Sequence, residues 1–299
     1  MSTPTTLELP AGVRRTTVVS TRGEFAALEA LPGTGVTELG TALLVPGYTG
    51  SKEDFINVLC ELAGAGRRVL ALDLRGQYET PGPDDPAAYT AAALGADVAA
   101  LAAATQARHL LGHSFGGLVV RESVVTAGLR PGSVTLLSSG PSALPGPRAK
   151  RLASMLDFIG GARGEELRAK VAEVWHSSLK PEAETAGVPA GVLAFLQDRM
   201  DKTSPVGLVT MASELLTAED RTKELAEADI PTFVLYGEND DAWPAVIQED
   251  MAARLEARRL CIPAAAHSPA VEAPATTAQA LTGFWNAAEG LTAPGPTRI

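Results

Sequence analysis

The stretch RHLLGHSFGG, Arg108 to Gly117, decides the architecture. It starts as an apolar strand and runs into G-x-S-x-G at Gly112 to Gly116, after which Gly116 to Ala127 has helical spacing. A serine on so sharp a strand-to-helix turn takes strained backbone angles. The residues two places either side of it come too close to carry side chains, which is what Gly112 and Gly116 provide. Gly117 lets the helix approach the sheet, and the helix N-terminus beneath Ser114 favours developing negative charge. In a chain with 29 glycines a chance match to the pentapeptide is not negligible, and its bland reading is a glycine-rich turn. Its setting between an apolar strand and an amphipathic helix makes Ser114 a candidate nucleophile.

Strands and helices alternate on both sides of this turn. TALLVPG, RRVLALDLRG, SVTLLSSG, PTFVLYGEND and RRLCIPAAAH read as further apolar strands. Helices are expected over Glu53–Ala65, Ala91–Ala104, Pro244–Ala257 and Val271–Glu289. Strands apolar on both faces with helices between them predict a doubly wound, mostly parallel α/β sheet. RTTVVST and GEFAALEA are expected as an antiparallel pair at one edge.

From about Ser142 to Asp229 the alternation stops. Leu152, Met155, Leu156 and Ile159 share one helical face, and Leu167, Val171, Val174 and Trp175 a second. Val192, Phe195 and Leu196 make a third stripe, and Leu208, Met211 and Leu215 a fourth. Ser204-Pro205 is a helix start. The segment reads as an all-helical cap inserted after the sixth strand, hinged at GPSALPGPR and EADIP. The expected organisation is a core over 1–141, a cap over 142–229 and the rest of the core over 230–299.

A serine hydroxyl needs a base to take its proton. Where the nucleophile sits on such a turn, the chain order is serine, acid, histidine. Of the four histidines only His176 and His267 follow Ser114, and His176 precedes any strand able to supply the acid. His267, in PAAAHSP just past the last apolar strand, is therefore the expected base. LYGENDDAWP supplies two candidate acids. Asp240 is assigned to the triad, and Asp241 to a helix cap or to solvent.

LLVPGYTGSKEDF, Leu43 to Phe55, is a strand, a glycine-bearing turn and a helix start. It fails the P-loop spacing twice: Ser51 separates Gly50 from Lys52, and Val45 stands where the first glycine belongs. GTGVTELG, Gly33 to Gly40, precedes a strand, so it is no dinucleotide fingerprint. The surviving use of such a loop is backbone N–H donation to an oxyanion.

Bulk properties narrow the field. A net charge of −10 argues against nucleic acid as a partner. No apolar run reaches membrane-spanning length, and MSTPTTLELP lacks the pattern of a signal peptide, so no membrane association and a cytoplasmic location are expected. Cys60 and Cys261 are expected as buried free thiols. The histidines show no metal-ligand spacing, so neither metal nor cofactor is expected. The tail from Gly290 is expected to be loose. Oligomeric state is not legible.

Taken in order, VPGYTGSKEDF, DLRG, GHSFGG, GENDDAWP and AHSP resemble the α/β-hydrolase superfamily, in its capped serine-hydrolase form, over nearly the whole chain. The resemblance maps the nucleophile to Ser114 and the histidine to His267. Gly237, Asp240 and Pro244 match the family's spacing G-x-x-D-x-x-x-P, which favours Asp240 over Asp241. It implies an oxyanion hole from the N–H groups of Tyr48 and Phe115, and leaves Lys52 as a solvated first-turn residue. One departure is Pro46-Gly47, where members of this type often have His-Gly. The implied activity is cofactor-independent hydrolysis of a small, mostly apolar carboxylic ester, or an amide or thioester. The alternatives are C–C bond hydrolysis or acyl transfer by the same triad, and a non-catalytic ligand-binding relative. Phe158 and Trp175 are the expected substrate contacts in the cap, with His176 exposed beside them.

Overall fold

The computed structural model describes residues 2–291. The tail beyond Leu291, expected to be loose, lies outside the described residues. Eight strands form one sheet in the order β1-β2-β4-β3-β5-β6-β7-β8. β1 (Val13–Ser20) and β2 (Gly23–Ala30) form the expected antiparallel pair, and β2 joins the sheet antiparallel to β4 (Arg67–Leu72). The remaining strands are parallel: β3 (Leu39–Val45), β5 (Ala107–His113), β6 (Ser133–Leu137), β7 (Thr232–Gly237) and β8 (Arg258–Ile262). The chain leaves β3 for β4 on one side and returns to β5 on the other. The carboxyl ends of β3 and β5 are thus the topological switch point, where open α/β sheets bind ligands.

Apolar residues on both faces of the strands demand two covering layers. One face packs on α1 (Ile56–Gly64) and the later helices α11 (Pro269–Glu272) and α12 (Pro274–Ala288), through Leu59, Leu62, Leu281 and Trp285. The other packs on α2 (Ala91–Thr105), α3 (Phe115–Val125) and α10 (Ala245–Arg254), through Leu94, Val98, Val119 and Met251. The single helix expected over Val271–Glu289 is broken at Ala273, whose φ of −141° and ψ of 58° are not helical. Pro274 is the cause, because a proline disfavours the helical region for the residue before it.

Between β6 and β7 the structure is helical: α4 (Gly146–Ile159), α5 (Gly164–Val174), a π turn over Trp175–Leu179, α6 (Lys180–Thr185), α7 (Ala190–Lys202), α8 (Pro205–Thr217) and α9 (Thr222–Glu227). The Ser204 hydroxyl caps α8 by accepting from the Gly207 N–H at 3.1 Å. Ile159, Leu167, Val171, Trp175, Val192, Leu196, Met200 and Leu208 form a core internal to these helices. Met211 and Leu215 of α8 face the sheet layer instead.

Both cysteines are free thiols, but neither is buried. Cys60 lies on the solvent side of α1, and Cys261 is half-buried on the edge strand β8. Among the described residues no helix is long and apolar enough to cross a membrane.

Candidate active site

Ser114 stands at the end of β5 with φ 55° and ψ −122°, the strained turn its glycines predict. A Cβ on Gly112 would overlap the Gly116 carbonyl, and one on Gly116 would lie 2.5 Å from the carbonyl oxygens of Val45 and Pro46. The Ser114 N–H donates to the Leu137 carbonyl at 2.8 Å, so the end of β6 holds the turn from beneath.

The structure brings Ser114, His267 and Asp240 into one line. Ser114 Oγ lies 3.0 Å from His267 Nε2, and His267 Nδ1 lies 2.8 Å from Asp240 Oδ1. A carboxylate only accepts, so Nδ1 carries the hydrogen and Nε2 presents its lone pair to the serine hydroxyl. The Asp240 side chain is fully buried and is met entirely by donors. Besides His267, the Ala242 N–H reaches Oδ1 at 2.9 Å and Gln248 Nε2 reaches Oδ2 at 2.8 Å. Asp241 caps no helix; it faces solvent and forms a two-pronged ion pair with Arg148 of α4.

Sequence reasoning missed three supports of the histidine loop and the acid. Glu272 accepts from the N–H groups of Ala266 and Ser268. Gln248 braces the acid from α10. His113, next to the nucleophile, donates from Nε2 to the His267 carbonyl at 2.7 Å. The adjacency of His113 to Ser114 was visible in the sequence; Gln248 and Glu272 are also close in the chain to the groups they hold, but no residue pattern marks the turns that bring them together.

Burial and the neighbouring His267 drive the His113 pKa down to about 3, so it stays a neutral donor. The unfolded chain takes up this proton near pH 6.5 and the folded one does not, so the contribution to stability is full above pH 6.5 and falls as pH drops towards 3. At about pH 5 it costs about 2 kcal/mol. Urea unfolding at about pH 7.5 and about pH 5 should therefore show a smaller acid destabilisation in His113→Gln than in wild type, by about that amount. Equal losses in both proteins would contradict the assignment.

Tyr48 is on the loop after β3 and shares a cavity lining with Ser114, and Phe115 is the first residue of α3. Among the described residues no acceptor takes either N–H. Lys52 is not solvated. It is 1% exposed, with Nζ 2.7 Å from Asp73 and 2.7 Å from Glu79. Both carboxylates come from the chain after β4, which a local reading of the first helical turn does not include. Lys52 ties the β3 loop to that segment.

Above the line opens a cavity of about 780 Å³. Ser114 and His267 lie at its floor, and Tyr48, Leu144, Leu152, Met155, Phe158 and Leu208 are among its walls. Phe158 is at the rim, 43% exposed. Trp175 is not on this wall. The π turn directs it into the core of the helical segment, where it is 1% exposed and its indole N–H donates to Gln197. His176 is exposed.

A model of the alpha/beta hydrolase family matches residues 42–280. No curated protein matches the chain. Among solved structures, a hydrolase from Pseudomonas aeruginosa PA01 is similar at 26% identity and a TM-score of 0.66, over 94% of this chain and 100% of that one. An esterase from Thermogutta terrifontis, described as thermophilic, is 22% identical with a TM-score of 0.64, over 92% and 99%. The enol-lactonase from Burkholderia xenovorans LB400 is 19% identical with a TM-score of 0.70, over 91% and 100%. The last two likenesses bear on the fold alone. The family match spans the sheet from β3 to α12 together with Ser114, Asp240 and His267, and the chain belongs to the alpha/beta hydrolase family.

Proposed function

We propose that the chain hydrolyses carboxylic esters with a mostly apolar acyl or alcohol part, through an acyl-enzyme on Ser114 and without a cofactor. The observation that carries this reading is the hydrogen-bonded line from Ser114 through His267 to Asp240, opening onto a largely apolar cavity. Ser114 Oγ attacks the ester carbonyl carbon as His267 Nε2 takes its proton, and Asp240 stabilises the imidazolium. The carbonyl π pair moves to oxygen, where the N–H groups of Tyr48 and Phe115 receive it. Collapse expels the alkoxide, which takes the proton from His267. Water, deprotonated by His267, then attacks the acyl carbon, releases the carboxylic acid and restores Ser114. A Cβ on Gly47 would lie 3.0 Å from Ser114 Cβ, so the chain that carries the first proposed donor passes close beside the nucleophile.

Within this proposal residues 142–229 act as a cap, and the helix α4 sets how long a substrate fits. Ligand sites span about 300–1,000 Å³, so the cavity has room for more than the small ester expected from the sequence. A fluorophosphonate should label wild-type protein at Ser114, and a panel of acyl esters should show turnover. A protein that neither labels nor turns over any ester would be a non-catalytic relative.

Phe158 lines the cavity and Trp175 does not, so alanine separates their roles. Phe158→Ala should shift relative kcat/KM towards longer or bulkier esters by about tenfold, the low end for an apolar pocket contact because the ring stands at the rim. Trp175→Ala should instead destabilise the fold by about 3–5 kcal/mol with the chain-length profile unchanged. An unaltered profile in Phe158→Ala would remove the α4 rim from the binding site.

A further inference from the structure

We propose that Gln77 is a positioning residue that aims the Tyr48 N–H at the oxyanion. The inference rests on the proposed role of that N–H. Gln77 is 1% exposed and sits in the segment after β4. Its backbone is held at both ends: its N–H donates to the Leu74 carbonyl at 2.9 Å, and its carbonyl accepts from the Thr80 N–H at 3.0 Å. From this fixed base Nε2 donates to the Gly47 carbonyl at 2.9 Å. A carbonyl only accepts, so the amide must face it with its nitrogen. The Gly50 N–H donates to the same oxygen at 3.0 Å, so both of its lone pairs are taken.

The Gly47 carbonyl and the Tyr48 N–H belong to one peptide group. That group is planar and trans, so its C=O and N–H point in opposite directions. Holding the oxygen with two donors fixes the direction of the N–H on the far side of the peptide, the donor proposed for the oxyanion. Two donors on the carbonyl also polarise the peptide and strengthen the N–H as a donor. Gln77 is an expensive way to fill this space. Its Oε1 is buried with no partner among the described residues, and Nε2 otherwise reaches only a weak acceptor, Met211 Sδ, at 3.9 Å. An apolar side chain of the same length would avoid the unpaired oxygen. The bond to Gly47 is what the amide supplies and a hydrocarbon cannot.

The test uses an alkyl trifluoromethyl ketone and the matching trifluoromethyl carbinol. Ser114 Oγ adds to the ketone carbon, its proton passes to His267 Nε2, and the carbonyl pair becomes an oxyanion in the proposed hole. The carbinol carries the same tail and cannot form the adduct. In Gln77→Met and in Gln77→Glu, kcat for ester hydrolysis should fall about tenfold or more with KM unchanged, because the donor acts in the transition state and not on bound substrate. Ketone affinity should fall by the same factor, and carbinol affinity should hold. Rates are taken per fluorophosphonate-reactive site, so an unfolded fraction does not enter. Equal weakening of ketone and carbinol would mean a disturbed cavity and would overturn the proposal. So would wild-type kcat in both variants. Failure of both to fold would make Gln77 a determinant of the fold and not of donor aim. A wild-type protein that neither labels nor turns over ester would instead remove the proposed function itself.

Discussion

Ser114→Ala should lower kcat/KM for ester hydrolysis by about 10⁴-fold or more and abolish fluorophosphonate labelling, with thermal stability preserved. In the proposed reaction the hydroxyl is the atom that bonds to the acyl carbon, and no neighbour can replace it. His113 is the nearest other candidate, but its ring is committed to the His267 carbonyl and held neutral. On that proposal, what survives in the variant is the cavity and the two N–H donors, which bind the ester without an acyl-enzyme. Alanine removes one oxygen from a residue only 8% exposed, and the Ser114 N–H bond to Leu137 is a backbone bond that remains. A folded Ser114→Ala protein with turnover near that of wild type would refute the mechanism.

The second large effect separates two adjacent aspartates. Asp240→Asn should lower kcat by about 10³–10⁴-fold. All three partners of the carboxylate are donors, namely His267 Nδ1, the Ala242 N–H and Gln248 Nε2. An amide must turn its NH₂ towards one of them. If it faces His267, the imidazole carries its hydrogen on Nε2 and can no longer accept from Ser114; in either orientation the charge that stabilises the imidazolium is gone. Asp241→Asn removes only an ion pair to Arg148 on a side chain 57% exposed. Exposed pairs contribute about 0–1 kcal/mol, so kcat should change by less than about threefold. Stopped-assay rates on both variants at matched folded fraction decide the matter, and a larger loss in Asp241→Asn would exchange the two roles.

Much of this arrangement was legible in the sequence. The strand RHLLGHS, the glycines flanking Ser114 and the order of serine, aspartate and histidine are matters of local backbone sterics and chain order. The helix start at Ser204-Pro205 and the antiparallel pair at the sheet edge follow from short-range patterns as well. Lys52 and Trp175 were misread because their surroundings are set by packing that a short stretch of sequence does not show. Lys52 looks like a surface lysine until the segment after β4 brings Asp73 and Glu79 against it. Trp175 belongs to an apolar stripe, and a stripe says that a face is buried without saying against what; the π turn sends it to Leu167, Val171 and Leu196 instead of the cavity.

Sequence by itself therefore determined the layer architecture, the strained turn at Ser114 and the residue types at its ends, because periodicity and backbone strain act over a few residues. Tertiary structure alone decided that Arg148 takes Asp241, that Gln248 and His113 brace the acid and the histidine loop, and that Gln77 holds the Gly47 carbonyl. The Gln248 bond forms within the turn from β7 into α10, and each of the others joins different elements, so that its geometry exists only once the sheet order has placed their ends side by side.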